Sequence, residues 1–217
     1  MKDIPVFTSE FGIATLILRE IPTKRCAYVL IRSFRPDSLT PLLAECRQFC
    51  LAAGAEQVSV SGEAPLDNLA HLHDLVEMRC RRCDLPPLAE PVALERVTAE
   101  NAETYLSVYN RLFEAIPNAE TYTRRELGPL IESGRAAVAV VDGRPAGIGE
   151  WQGSELRAVG VLPEYRGLGE RLTLSILAGM EGDAFTLRVS SVNERALRLY
   201  RRLGFRQTRI LSRWYAL

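Results

Sequence analysis

The sequence contains no apolar run approaching the roughly 18 residues that a membrane-spanning helix needs, so no transmembrane segment is predicted. It also lacks an excess of either charge, because Lys and Arg together number 27 and Asp and Glu together number 27 in 217 residues. Proteins that bind nucleic acid or anionic membranes usually carry a basic excess, so neither partner is expected. The first residues, MKDIPVFTSEFG, have no apolar signal-peptide core, which predicts a cytoplasmic location.

A disulfide framework is not expected either, because the cysteine count is odd and no signal peptide is present. The five cysteines are Cys26, Cys46, Cys50, Cys80 and Cys83. A zinc site could be drawn from the last four with the nearby histidines. Against it, Cys46 and Cys50 fall on the apolar face of a predicted helix, where a free cysteine is usually a small buried hydrophobe. His71 and His73 are two residues apart and would point to different sides of a helix. No metal is predicted.

One change of composition divides the chain. The segment DLPPLAEPV at residues 84–92 holds three prolines and has no helical period, which is typical of a linker. Two domains are therefore predicted, an accessory α/β domain over residues 1–90 and a larger domain over residues 91–217. In the first domain, the patterns predict strands at 12–18, 25–32 and 57–61, and helices at 39–53 (opened by Pro36-Asp37-Ser38) and 66–79.

The second domain alternates helices with strands after a leading hairpin, which predicts a mixed α/β sheet. Its predicted strands cover 92–97, 136–141, 145–151, 155–161, 185–189 and 207–216. Its predicted helices cover 98–115, 123–133, 168–180 and 193–203.

The segment V-G-V-L-P-E-Y-R-G-L-G at residues 159–169 ends a predicted strand and opens a predicted helix. Backbone N–H groups at a helix start are unpaired, and the helix dipole adds positive potential there. Glycines also let a ligand approach the backbone closely. The segment fits a phosphate cradle, although it is neither a Walker loop nor a dinucleotide fingerprint. From the glycines alone, an ordinary strand–turn–helix joint remains open.

A second block, N-E-R-A-L-R-L-Y-R-R-L-G-F at residues 193–205, follows the next predicted strand. The two blocks together resemble the GNAT (GCN5-related N-acetyltransferase) superfamily. The first block resembles its V-x-P-x-x-R-G-x-G acyl-CoA motif, and the second resembles its N-x-x-A-x-x-x-Y-x-x-x-G-F motif. The resemblance covers roughly residues 92–217, and the order and spacing of the predicted elements agree with it.

The resemblance implies a mixed, mostly antiparallel sheet flanked by helices, with acetyl-CoA as the donor substrate. The backbone of Val159, Gly160 and Val161 would face the pantetheine arm and stabilise an oxyanion. Asn193 would contact the pantetheine or pyrophosphate region, and Tyr200 would be the general acid for the leaving thiolate. The pyrophosphate would lie mainly on the backbone N–H groups of Arg166, Gly167, Leu168, Gly169, Glu170 and Arg171.

One position departs from the family pattern, which has a small residue where this chain has Arg171. Its side chain could point away, contact a phosphate or narrow the cradle, and tolerance is the favoured interpretation. A base is also needed, because a Lys-like amine has a pKa near 10.4. The candidates are Glu155, which shares strand parity with Val159, and Glu150 at the end of the preceding strand. Both could instead be solvated charges at a strand end.

The predicted function is therefore an N-acetyltransferase, an acyltransferase acting on a primary amine by direct attack in a ternary complex. The alternative is a non-catalytic acyl-CoA-binding or scaffold protein that keeps the fold. The acceptor, a small molecule or a peptide, is expected to lie near the helices around residues 103–132. Trp151, Tyr105, Tyr109 and Tyr122 are candidates to line its pocket, with core packing favoured for each.

The first domain repeats the order strand, turn, helix, strand without a glycine cradle. It is interpreted either as a degenerate half of the same fold or as an unrelated α/β cap. After Phe205 the chain has room for one long strand, whereas the family usually ends in a hairpin. The N-terminal segment or a second subunit of a homodimer is expected to cover the missing edge.

Overall fold

The computed structural model describes residues 4–35, 37–62 and 66–217. The chain forms two compact units, of which the first holds the residues before Val76 together with Ile210–Leu217 and the second holds Val76–Arg209. The division differs from the predicted boundary near residue 90, because the proline-rich stretch packs within the second unit.

Two contacts explain why the proline-rich stretch belongs to the second unit. The Val92 N–H donates to Ser175 Oγ at 2.8 Å. Leu85 and Leu88 also pack against the core of that unit. A segment that looks like a linker in composition is thus fixed by one buried hydrogen bond and two apolar side chains.

The first unit contains strands and helices whose bounds are β1 Val6–Ser9, β2 Gly12–Ile17, α1 Ile21–Lys24, β3 Cys26–Phe34, α2 Leu39–Ala52 and β4 Gln57–Gly62. Strands β1, β2 and β3 form an antiparallel meander, and α2 then crosses over so that β4 pairs parallel to β3. Pro36, predicted at the opening of α2, lies outside the described residues.

The predicted helix over residues 66–79 is wrong. The chain there forms β5, His71–Arg81, followed by a short 3₁₀ turn at Arg82–Asp84. Val76, Met78 and Cys80 are buried, whereas Arg79 is exposed, so burial repeats every two residues as in a strand. Upstream of these residues, the apolar side chains are spaced as on one face of a helix, and this spacing led to the wrong prediction.

The second unit contains most of the remaining elements. Their bounds are β6 Ala93–Arg96, α3 Ala102–Phe113, α4 Arg124–Ser133, β7 Ala136–Val141, β8 Arg144–Gln152, β9 Glu155–Val161, α5 Gly169–Gly179, β10 Ala184–Ser190 and α6 Glu194–Arg202. Strand β11, Arg206–Ala216, begins in the second unit, and its residues from Ile210 onward belong to the first. Strands β6 to β9 pair antiparallel in succession, and α5 then crosses over so that β10 pairs parallel to β9. The predicted mixed, mostly antiparallel sheet is confirmed.

Both units contain three antiparallel strands in succession, β1–β3 in the first and β7–β9 in the second, followed by a crossover helix and a parallel strand. The repeat favours a degenerate half over an unrelated cap. The pairing differs in extent, because β3 and β4 match over five residue pairs from Cys26–Gln57 to Leu30–Ser61, whereas β9 and β10 match over two. The parallel strands of the second unit therefore separate early.

The end of the chain pairs with the N-terminal segment, one of the two alternatives that the sequence left open. Within the first unit, Arg213–Ala216 of β11 pairs antiparallel with β4.

The two cysteines that were predicted to be small buried hydrophobes, Cys46 and Cys50, are buried in the core of the first unit. Burial raises the pKa of Cys46 to about 12 and that of Cys50 to about 11, so both thiols stay protonated at neutral pH.

Within the described residues, no helix combines the length and the hydrophobicity needed to cross a bilayer. In the same part of the chain, no three His, Cys, Asp or Glu side chains are grouped so as to hold a metal ion.

Candidate functional site

A cavity of about 440 Å³ in the second unit lies where β9 separates from β10. Its walls are formed by β9, the turn that follows β9, the first turn of α5, one side of α6 and the C-terminal end of α3. It brings together most of the residues predicted from the two blocks, namely Val159, Gly160, Val161, Arg166, Gly167, Gly169, Glu170, Asn193 and Tyr200.

Strand β9 directs backbone N–H groups toward this cavity, at positions where β10 no longer pairs with it. The Leu162 N–H donates to Ala146 O at 2.9 Å, which directs it toward β8. Because successive residues of a strand alternate in direction, the N–H groups of Val159 and Val161 point the other way, toward the side that β10 has left. Both residues line the cavity, so their amides are available to a ligand.

The start of α5 adds a second set of donors. The residue at its N-cap is Leu168, which has no side-chain acceptor, and no side-chain hydrogen bond caps this helix. The backbone N–H groups of Gly169 and Glu170 therefore keep their hydrogen-bonding capacity and the positive end of the helix dipole. Gly167 has φ +107°, a left-handed conformation that only glycine adopts readily, and it shapes the turn before them.

The cavity is bounded on one side by α3 and on another by α6. A side chain at Gly160 would come within 2.8 Å of Leu112 Cδ1, so glycine is what allows α3 to pack this close to β9. Tyr200 is buried, and burial raises the pKa of its phenol, which keeps the hydroxyl protonated. Asn193 caps α6 by accepting from the Ala196 N–H at 3.2 Å, which leaves its amide nitrogen as a donor.

Sequence reasoning missed a set of arginines on α6. Arg195, Arg198 and Arg202 line the cavity together with Arg166. Their positions, at i, i+3 and i+7, place them on one helical face, and this spacing was the available signal. Arg202 Nε lies 3.5 Å from Glu170 Oε2. The cavity is therefore rich in cationic groups, which suits a ligand with several phosphates.

Two predicted cradle residues do not line the cavity. Leu168 packs against the hydrophobic core of the unit. Arg171 turns away, with Nη2 3.0 Å from Glu90 Oε2. The structure thus matches the alternative in which this arginine points outward and leaves the cradle open.

Glu155, predicted as a base, lies outside this cavity. The parity argument for it is wrong, because the pairing of β8 with β9 shifts between Glu150–Ala158 and Trp151–Leu156, which makes Arg157 an extra residue. Leu156 and Val159 consequently pack on the same side of the sheet, and Glu155 falls on the other. Its carboxylate pairs with Arg188, Oε1 to Nε, at 3.0 Å.

Glu150, the other predicted base, lines a second cavity of about 410 Å³ with Tyr122 and Trp151. The residue is 6% exposed and accepts hydrogen bonds at Oε2 from Tyr105 Oη at 3.1 Å and Tyr122 Oη at 3.0 Å. Tyr105, Tyr109 and Trp151 are buried in hydrophobic core, as favoured, although Trp151 also borders the second cavity, as does the half-buried Tyr122.

Comparison with solved structures places the fold. A GCN5-related N-acetyltransferase from Kribbella flavida matches with a TM-score of 0.63 and 17% identity over 99% of this chain and 90% of that chain. A functionally unknown conserved protein from Staphylococcus epidermidis matches with a TM-score of 0.59 and 16% identity over 100% of this chain and 94% of that chain. A tandem GNAT protein from the clavulanic acid biosynthesis pathway matches with a TM-score of 0.59 and 15% identity over 99% of this chain and 82% of that chain.

The fold is that of the GCN5-related N-acetyltransferases, so the resemblance predicted from the two blocks is confirmed at the level of the fold. Residues 145–215, which contain both blocks, match the model of the FR47-like protein family. No curated protein sequence matches the chain.

Proposed function

We propose that the protein is an N-acetyltransferase that moves the acetyl group of acetyl-CoA to a primary amine by direct attack in a ternary complex. The observation that carries the proposal is the 440 Å³ cavity in which the amides of β9, the uncapped start of α5 and the phenol of Tyr200 meet. Each of these groups suits a different part of acetyl-CoA.

The cavity suits the extended, anionic donor in two ways. The diphosphate would accept from the backbone N–H groups of Gly169 and Glu170, where the helix dipole favours negative charge. The amide groups of the pantetheine arm would pair with the free edge of β9 in place of β10, as an added strand does. Arg195 and Arg198 on α6 would then lie beside the remaining phosphate charge.

The residues of the cavity also suit the chemistry of acetyl transfer. The N–H groups of Val159 and Val161 would hydrogen-bond the thioester oxygen as negative charge develops on it. The amine nitrogen forms a bond to the acetyl carbon while the bond from that carbon to sulfur breaks. Tyr200 donates a proton to the leaving sulfur and recovers one from the attacking nitrogen, so each ammonium consumed releases one proton to solvent.

A second candidate function, non-catalytic acyl-CoA binding or scaffolding, is favoured by one observation. Neither predicted base lines the donor cavity, since Glu155 is held by Arg188 and Glu150 by two tyrosines. A protein that keeps the cradle but lacks a base would bind the donor without turnover.

Calorimetry with CoA and with acetyl-CoA, followed by a thiol-release assay with a panel of amines, separates the two candidates. We expect both ligands to bind and CoA release to depend on an added amine. Binding without release over the whole panel would leave the second candidate. A folded protein that binds neither ligand would contradict both.

A further inference from the structure

The second cavity lies beside the donor cavity along the same strand. Arg157 lines the second cavity and Val159 lines the first. Two residues of a strand span about 7 Å. Strand β9 therefore contributes lining residues to both cavities at neighbouring positions, as a donor site and an acceptor site would require.

A buried carboxylate forms part of the wall of the second cavity. Glu150 Oε2 already accepts from Tyr105 and Tyr122. Burial is the main cause that raises the pKa of the Tyr105 phenol, and the nearby charge of Glu150 adds to it. The Tyr105 hydroxyl therefore stays protonated and remains a hydrogen-bond donor. Glu150 Oε1 has Arg157 Nε at 3.9 Å, beyond hydrogen-bond distance, so it can accept from a ligand. Arg157 already forms an ion pair with this buried carboxylate, and a ligand ammonium could share it by donating a hydrogen bond to Oε1.

An aromatic side chain stands next to that carboxylate. Tyr122 lines the cavity and its hydroxyl donates to Glu150 Oε2, whereas the side chain of Trp151 packs in the hydrophobic core on the other face of β8. Tyr122 is held by stacking on Tyr109, with ring centroids 3.9 Å apart and planes 9° apart. Aromatic faces attract ammonium groups, so the wall adds to the preference that Glu150 sets.

The same cavity is lined by guanidinium groups. Arg125 and Arg135 line it and are exposed. Over residues 66–217, neither guanidinium forms a salt bridge, unlike the neighbouring Arg124, whose Nε lies 2.7 Å from Glu103 Oε1. Among the acidic lining residues, Glu126 accepts from the Thr123 N–H and hydroxyl, and Glu120 also contributes to the wall.

We propose that this cavity binds the amine acceptor and that the acceptor is an amino carboxylate of amino-acid size. Its ammonium would pair with Glu150, and its carboxylate with Arg125 and Arg135. The term acceptor rests on the proposed function, but binding of an amino carboxylate does not require turnover.

The test is ligand-observed NMR binding to the 217-residue protein, measured with and without CoA. The probes are the proteinogenic amino acids, 4-aminobutyrate and 6-aminohexanoate, each with its matched carboxamide and its decarboxylated amine. We expect at least one acid to bind about tenfold more tightly than its carboxamide, because a charged carboxylate–guanidinium pair is lost in the amide.

Exposed variants provide the control. The double variant Arg125→Gln/Arg135→Gln should lose that preference, whereas Arg124→Gln, adjacent on α4 but not lining the cavity, should retain it. Equal binding of acids, carboxamides and amines, or no binding by any acid, would overturn the proposal. Failure of the proposed function has a different signature, namely no acetyl-CoA binding or no acetyl transfer while the acids still bind.

Discussion

The guanidinium of Arg171 is bound to a single residue of the proline-rich stretch, since Nη2 lies 3.0 Å from Glu90 Oε2 and Nε donates to the Glu90 carbonyl oxygen at 3.1 Å. The side chain therefore leaves the start of α5 in the direction away from the donor cavity. This geometry explains how a large residue is tolerated where the family pattern has a small one.

Replacing Arg171 should consequently leave the donor site intact. In Arg171→Ala, we expect the CoA dissociation constant to change by less than about twofold and the stability to fall by at most about 1 kcal/mol, since the ion pair is exposed. Calorimetry and urea denaturation measure the two quantities. A loss of affinity of about tenfold would place this side chain at the phosphates instead.

The turn before α5 should be far more sensitive. In Gly167→Ala, the alanine residue must adopt a backbone φ of +107°, which costs on the order of 1–2 kcal/mol. We expect the turn to relieve this strain by moving, which displaces the backbone N–H groups that follow it. We expect CoA to bind about tenfold more weakly by calorimetry. The control is Gly179→Ala at the other end of α5, where a Cβ meets open space. That variant should bind CoA normally, and equal affinities in the two variants would contradict the role given to the turn.

Features set by local chemistry were predictable from the sequence. Helix α4 begins at the capping box of Thr123 with Glu126 and ends at Gly134, whose φ is 60°. Strand β9 has the predicted bounds, Glu155–Val161. In each case the signal lies within a few residues of the boundary, so no tertiary contact was needed to read it.

Features set by pairing between distant segments were not predictable. The extra residue at Arg157 exists because β8 and β9 change register, and it reverses the side on which Glu155 falls. The spacing of the arginines on α6 indicates a cationic helix face. Whether that face lines a cavity depends on where β10 separates from β9. Which residues line the cavity is decided by that separation, and no single segment encodes it.

The α6 arginines should contribute to CoA affinity through charge. In Arg195→Gln, we expect CoA to bind roughly three- to tenfold more weakly and the salt dependence of binding to become shallower, because one cation near the phosphates is lost. Arg201→Gln on the same helix is the matched control, since Arg201 does not line the cavity. Titrations at low and high salt measure both effects, and parallel losses in the two variants would indicate a general charge effect only.

Tyr200 should act in the chemical step and not in donor binding. In Tyr200→Phe, we expect kcat to fall by one to three orders of magnitude, roughly the range for a lost general acid, with CoA affinity unchanged. Burial raises the pKa of the phenol above its ordinary value of about 10, so wild-type kcat should show no loss from this group below that pH. A descending limb below pH 10 that disappears in the variant would contradict this assignment.

His73 should make the first unit sensitive to mild acid. The residue is 5% exposed, and its ring stacks on Trp214 with a 12° interplanar angle. Burial, reinforced by the charge of His71 and opposed by that of Asp74, lowers the pKa of His73. The unfolded chain therefore binds a proton at this residue more readily than the folded chain does, so the stabilisation is complete above about pH 6.5 and is lost as pH falls below it.

Urea denaturation between pH 7.5 and 5 measures this loss, which one group can drive at no more than about 1.4 kcal/mol per pH unit. In His73→Gln, the curve of unfolding free energy against pH should be flatter over this range. His71→Gln should keep most of the wild-type slope, because the larger cause of the lowered pKa is the burial of His73 itself. A His73→Gln variant with the full wild-type slope would show that carboxylates elsewhere in the chain account for the acid sensitivity.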